Sequence, residues 1–340
     1  MKPLRIAALC ALLFVLSACA AQPDGQTAAF APDETRRLTV YTSHKEEVYG
    51  PIVKEFEERT GIWVRVVTGG TNELLERIAA EADSPVCDVM FGGGVESLMS
   101  YAACFEPYTC SSAPSLKQGL RPEGDTWTPF SSLPVVLIYN TKLVSPGEVA
   151  GWADLLNPAW QGKIAFADPN VSGSSYTAAI TMLSCLPGDD WDLTARFAEN
   201  LKGNVLQDSG DVVSVVAVGS RYIGVTLEET ALKRQAQGAD IAIVYPEEGT
   251  SNLPDGAALI DRAPHRENAQ AFLEFTQSED VQSLVVNDFA RRSVRADVAD
   301  RDTLPPESEL QIIDYDVAWA SEIKEEFLRR WTELCEEAAS

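Results

Sequence analysis

The chain has 340 residues, with 51 acidic side chains against 27 basic ones and a formal net charge of −24. An acidic surface of this kind repels nucleic acid and anionic lipid, so neither is expected as a partner. A chain this long exceeds what one hydrophobic core usually supports, and two domains are expected.

Lys2 and Arg5 precede an apolar run, Ile6–Leu16. At about 1.5 Å per residue that run falls short of a hydrocarbon core of roughly 30 Å, so it is a secretory signal and not a membrane span. It ends in Leu16-Ser17-Ala18-Cys19, which resembles the lipobox of bacterial lipoproteins. Residues 1–18 are therefore expected to be removed, leaving Cys19 as a lipidated first residue on an exported, membrane-anchored protein. Residues 19–37, rich in Ala, Pro, Gln and Asp, form a tether. Beyond the lipobox lie Cys87, Cys104, Cys110, Cys185 and Cys335. In an oxidising compartment Cys104 and Cys110, flanking a short turn, are the preferred disulfide, with at least one thiol left over. No C-x-x-C spacing suggests a metal centre.

The body alternates strand-like and helix-like segments. Leu38–Thr42 is β-rich. The stretch Lys45–Arg59 sets Val48, Ile52 and Phe56 on one helical face, and Gly61 stops it. Trp63–Val67 is the next strand, Asn72–Ala82 the next helix and Val86–Phe91 a third strand, a βαβαβ order that predicts parallel pairing. Val135–Tyr139 is a continuous apolar run suited to a strand buried on both faces. Short turns follow at Trp152–Leu156 and Pro158–Gln161, then a strand at Lys163–Phe166. Helices are expected after Ser172-Gly173-Ser174-Ser175 and after Asp208-Ser209-Gly210. Tyr222–Leu227 and Ile241–Tyr245 are strands, and Asn268–Thr276, Val281–Val286 and Asp316–Glu337 are helices. The fold class is α/β in two lobes, one from residues 38–132 and 252–295, the other from 133–251 and 296–340. The chain is read as a monomer.

The strand ends hold the candidate site. Ser43-His44-Lys45-Glu46 matches a capping box. Gly69-Gly70-Thr71, Gly92-Gly93-Gly94, Ser172-Gly173-Ser174 and Asp208-Ser209-Gly210 open further helices. In open α/β sheets such starts gather on one edge, where ligands bind, and bare helix N-termini favour an anion. Glu228 and Glu229 follow a strand directly and, with Asp208, are expected to accept hydrogen bonds from hydroxyls or an ammonium.

LTVYTSHKEE, VVLIYNTKLV, LLNPAWQGKIAFADP with SGSSY, and YIGVTLEETALK together resemble the ferric-ion-binding group of periplasmic solute-binding proteins and its relatives. The likeness runs from about residue 38 to 290. It implies a two-lobed type II (Venus flytrap) fold, a ligand cleft between the lobes, and delivery to an ABC permease, with no enzymatic activity and no cofactor. In the ferric members a His, a Glu and a Tyr pair hold iron beside an anion. His44 matches the first, but the Glu position falls near Gly93 and the Tyr pair at Glu229-Thr230. The anion segment is kept as Ser172-Gly173-Ser174, and Ser209 stands where the group has an Asn. The resemblance therefore favours a phosphorylated organic solute, a sugar phosphate or an aminoalkylphosphonate, with ferric ion as the alternative and no resident metal. A hydrolase built on Ser209 with His44 as base is a distant third reading, as no G-x-S-x-G elbow is present. A binding protein that feeds a membrane sensor shares all these features.

Overall fold

The computed structural model describes residues 32–302 and 304–339, so the signal segment and Cys19 lie outside the described residues. The first sheet is built from β1 (Arg37–Thr42), β2 (Trp63–Thr68) and β3 (Val89–Gly94), linked by α1 (Glu46–Thr60) and α2 (Thr71–Ala80). β1 pairs parallel with both β2 and β3, as the βαβαβ order requires. Val48, Ile52 and Phe56 are the buried stripe of α1. Gly61 ends the helix at φ 68°, a left-handed C-cap that donates its N–H to Glu57 O.

After the short α3 (Val95–Ser100) the chain reaches β4 (Thr128–Asn140), a strand of 13 residues shared by both sheets. Its first half runs antiparallel to β9 (Asn252–Leu259), which joins it to β3. Its second half lies between β7 (Ile223–Leu227) and β8 (Ile241–Val244). Val135, Leu137 and Tyr139 enter one core and Val136 and Ile138 another, so the apolar run is buried on both faces. β5 (Ile164–Ala167) pairs parallel with β7 and with β6 (Val205–Leu206). Around this second sheet pack α4 (Gly173–Cys185), α5 (Asp190–Leu201), α6 (Asp211–Ala217) and α7 (Glu228–Ala236). The first sheet is covered by α8 (Arg266–Thr276) and α9 (Glu279–Asn287), and β10 (Arg292–Ser293) adds to β4.

Several details differ from the sequence reading, the first being the end of the expected tether, where Glu34–Arg36 form a 3-10 turn and Arg37 already belongs to β1 because it pairs with Trp63. The C-terminal helix is two helices, α10 (Val317–Glu322) and α11 (Lys324–Ala339); α10 packs on α3 and α11 on α5, so the break lets one segment serve both halves. The strand β9 and the helix α5 were not expected, although α5 sets Leu193, Phe197 and Leu201 four apart on one buried face behind an Asp189 N-cap. β9 reads as a turn because it contains Pro254, Asp255 and Gly256, yet its place between β3 and β4 needs small residues. A Cβ at Gly256 would come within 2.9 Å of Leu98 Cδ1. The disulfide expected between Cys104 and Cys110 is not formed: all five described cysteines are free thiols, and the buried Cys110 Sγ lies 3.9 Å from Thr128 Oγ1. Among the described residues no helix is long and apolar enough to cross a membrane.

Candidate functional site

Two chambers open side by side between the sheets, one of about 330 Å³ and one of about 160 Å³, and Ser43, His44 and Arg291 line both. The smaller is built on two facing helix starts. A Cβ at Gly70 would reach Val171 O at 3.1 Å, and one at Gly173 would reach Thr71 Oγ1 at 3.3 Å. Asn72 Nδ2 secures this approach by donating to Asn170 O at 2.8 Å. Ser172 caps α4, its Oγ accepting from Ser175 N–H at 3.3 Å and lying 3.1 Å from Ser174 Oγ. The first-turn N–H groups of a helix have no partner within it and carry partial positive charge, so the opening of α4 is suited to an anion. Gly93 adopts φ +93°, and a Cβ there would meet Thr71 Cγ2 at 2.8 Å, so this glycine makes room for the Thr71 side chain.

The wall shared by the chambers is a buried chain of charges. Asp255 Oδ1 accepts from Ser131 N–H at 2.8 Å and Oγ at 2.7 Å, and Oδ2 accepts from Arg291 Nη1 at 2.8 Å. Burial raises the Asp255 carboxyl, and the Arg291 guanidinium opposes that rise. Arg291, only 6% exposed, also reaches Glu229 Oε1 at 3.5 Å, while its Nε has no partner. Beside it the His44 ring packs edge-on against Phe91 at 4.5 Å and tilted on Phe130 at 5.3 Å. Its Nε2 stands 3.6 Å from Asp255 Oδ2 and makes no hydrogen bond. Burial first, then Arg291 and Lys233, hold the His44 imidazole well below its ordinary value, so it is neutral at pH 7.

The larger chamber is polar at its mouth. Lys233 Nζ meets Glu47 Oε1 at 2.9 Å and Glu229 Oε2 at 3.1 Å, and Lys45 Nζ donates to Asp208 Oδ1 at 3.2 Å. Arg234 lines the same space.

The structure thus brings Ser43, His44, Gly70, Thr71, Gly93, Ser172, Gly173 and Ser174 to the smaller chamber, and Glu229 to the larger. Asp208, Ser209 and Glu228 line neither. Asp208 accepts from Gly210 N–H at 2.7 Å, the main cause of its lowered pKa, and from Lys45. Glu228 is fully buried away from the cleft, gripped by Arg292 at 2.8 and 2.9 Å and by Tyr245 O–H at 2.6 Å. The capping box expected at Ser43 does not form. Lys45 is the N-cap of α1 without a side-chain cap, and Ser43 turns to the cleft instead. Among the described residues no hydrogen bond joins Ser209 to His44, and Ser209 lines neither chamber.

Arg291, Asp255, Lys45, Lys233 and Thr177 are lining residues that the sequence reading missed. Asp255-Gly256 looks like a turn, and Arg291-Arg292 like solvated surface. The arginine doublet does not single the site out, because Arg36-Arg37 and Arg329-Arg330 occur outside the cleft. Among the described residues no group of three or more His, Cys, Asp or Glu could hold a metal ion.

Three comparisons bear on this geometry. The model of the bacterial extracellular solute-binding protein family matches residues 84–319. Iron uptake protein A1 of Synechocystis is 25% identical over 289 residues, covering 80% of this chain and 79% of its own. Among solved structures, periplasmic binding protein AfuA of Actinobacillus pleuropneumoniae with fructose-6-phosphate bound has a TM-score of 0.82 at 21% identity, covering 88% of this chain and 98% of its own. Iron-bound HitA of Pseudomonas aeruginosa has a TM-score of 0.76 at 20% identity, covering 89% of this chain and 99% of its own. These neighbours have the two-lobed type II fold expected from the sequence.

Proposed function

The chain belongs to the bacterial extracellular solute-binding protein family, and from that premise we propose that it captures a small phosphorylated organic solute, a sugar phosphate or a phosphonate, between its lobes. In this reading the lobes are residues 38–132 with 252–295 and 133–251 with 296–340. The protein is exported, anchored through Cys19, and passes its solute to an ABC permease. The observation that carries the ligand class is the opening of α4, where Ser172, Gly173 and Ser174 face Thr71 beside the buried Arg291. Helix N–H groups, small hydroxyls and one guanidinium make a cradle for a tetrahedral oxyanion. AfuA, bound to fructose-6-phosphate, is the neighbour that lends this reading support.

A thermal-shift screen of phosphorylated solutes against their dephosphorylated parents tests it. A ligand at about 100 times its dissociation constant stabilises by about 2.7 kcal/mol. Shifts confined to the phosphorylated member of each pair are expected, and equal shifts for both members would overturn the reading.

Ferric ion as cargo has one observation in its favour: His44 is neutral with an unpartnered Nε2, a state suited to a metal donor. Asp255, the nearest carboxylate, already accepts from Ser131 and Arg291, and Glu229-Thr230 stands where the ferric group has its Tyr pair. A hard trivalent ion would find few free anionic oxygens here. Ferric binding abolished by His44→Ala would favour iron.

A further inference from the structure

We infer that the solute carries a second anionic group, a carboxylate or another phosphate, which occupies the larger chamber. This rests on the phosphate reading of the smaller one. The sequence led to the opposite expectation, an ammonium or hydroxyl remainder held by Asp208, Glu228 and Glu229. Each of those carboxylates already has a cation. Asp208 lies beside Lys45 and also caps Gly210. Glu228 sits outside the cleft in a two-point bond with Arg292. Glu229 is held between Arg291 and Lys233. An incoming ammonium would therefore find each of these carboxylates already beside a cation, with Glu229 Oε2 the one that accepts no hydrogen bond.

It would instead meet like charge. Lys45, Lys233, Arg234 and Arg291 line the larger chamber against only Glu47 and Glu229. With Asp208 beside Lys45 and Asp255 beside Arg291 the charges here balance, in a chain of net charge −24, and Arg234, bonded to Ser214 and Gln237, has no carboxylate partner among the described residues. The Arg291 Nε–H supplies a second indication. It belongs to a buried guanidinium on the wall shared by the two chambers and has no acceptor among the described residues. A ligand oxygen in the larger chamber would give it one.

Titration calorimetry on the exported chain with a matched series tests the charge class: 3-phosphonopropionate, propylphosphonate, 3-aminopropylphosphonate and glutarate. A gain of about tenfold in affinity is expected for 3-phosphonopropionate over propylphosphonate, as for one charge-assisted hydrogen bond, with 3-aminopropylphosphonate the weakest of the three. Lys45 and Arg234 are exposed, so Lys45→Gln/Arg234→Gln should leave thermal unfolding unchanged while bringing the first two ligands to nearly equal affinity. If 3-aminopropylphosphonate binds as tightly as 3-phosphonopropionate, or the carboxylate advantage survives in the double variant, the inference is overturned. Glutarate matching 3-phosphonopropionate overturns the phosphate reading alone, and binding of none of the four overturns both.

Discussion

Replacing Glu228 with Gln separates a structural role from a ligand-binding one. The carboxylate faces Arg292 where the side chains are 1% and 0% exposed, and it accepts two guanidinium N–H bonds and the Tyr245 O–H. Glutamine offers one carbonyl oxygen in place of two, so at least one of those donors loses its acceptor and the Arg292 charge stays buried. Removing one partner of a buried pair costs roughly 3–5 kcal/mol. Arg292 also donates to Pro305 O at 2.8 Å and lies 3.9 Å from Asp300, so the loss should fall at the lower end, about 3 kcal/mol. At about 2–4 °C per kcal/mol, Tm should drop by roughly 6–12 °C. Differential scanning calorimetry measures this, and calorimetric titration at 25 °C should find ligand affinity within about twofold of wild type, because Glu228 lines neither chamber. Removing both charges with Glu228→Met/Arg292→Met should recover much of the loss, since a buried pair is often replaceable by apolar residues of similar size. A Tm change under about 1 °C together with lost ligand binding would refute the structural role.

Other substitutions test the cleft and the thiols. Gly93→Ala places a Cβ at positive φ and against Thr71, so ligand affinity should fall about tenfold or more, measured by titration; unchanged affinity would mean that Thr71 is not held for the ligand. The folded pKa of His44 is depressed, so the unfolded chain takes up that proton first on acidification. Its contribution to stability is therefore present above about pH 6.5 and declines below it. Melts from pH 7 to 5 should show wild type losing stability relative to His44→Asn, and parallel curves would contradict a buried neutral imidazole. With all described cysteines free, reducing agent should leave Tm unchanged, and a fall of several degrees would reveal a disulfide.

Much of the scaffold was legible because its periodicity is clean. The βαβαβ start, the Gly61 stop and the two-faced run Val135–Tyr139 each follow from one local rule and appear as expected. β9 was not, because its small residues are demanded by Leu98 and Trp127, neighbours far away in sequence. The helix-start half of the site was readable for the same reason as the scaffold: Gly70-Thr71 and Ser172-Gly173-Ser174 mark chain turns wherever they occur. The charged half was not. Whether Glu228 or Glu229 faces the cleft depends on which arginine, Arg292 or Arg291, the β10 segment delivers to each. Adjacent residues point to opposite sides there, and nothing local to Glu228-Glu229 reveals it.

The most direct measurement is elemental and mass analysis of whatever remains bound when the exported chain is purified from its host without unfolding. Phosphorus at a stoichiometric level, in a small organic acid and without iron, is the expected result. Stoichiometric iron with no phosphorus, lost in His44→Ala, would contradict it.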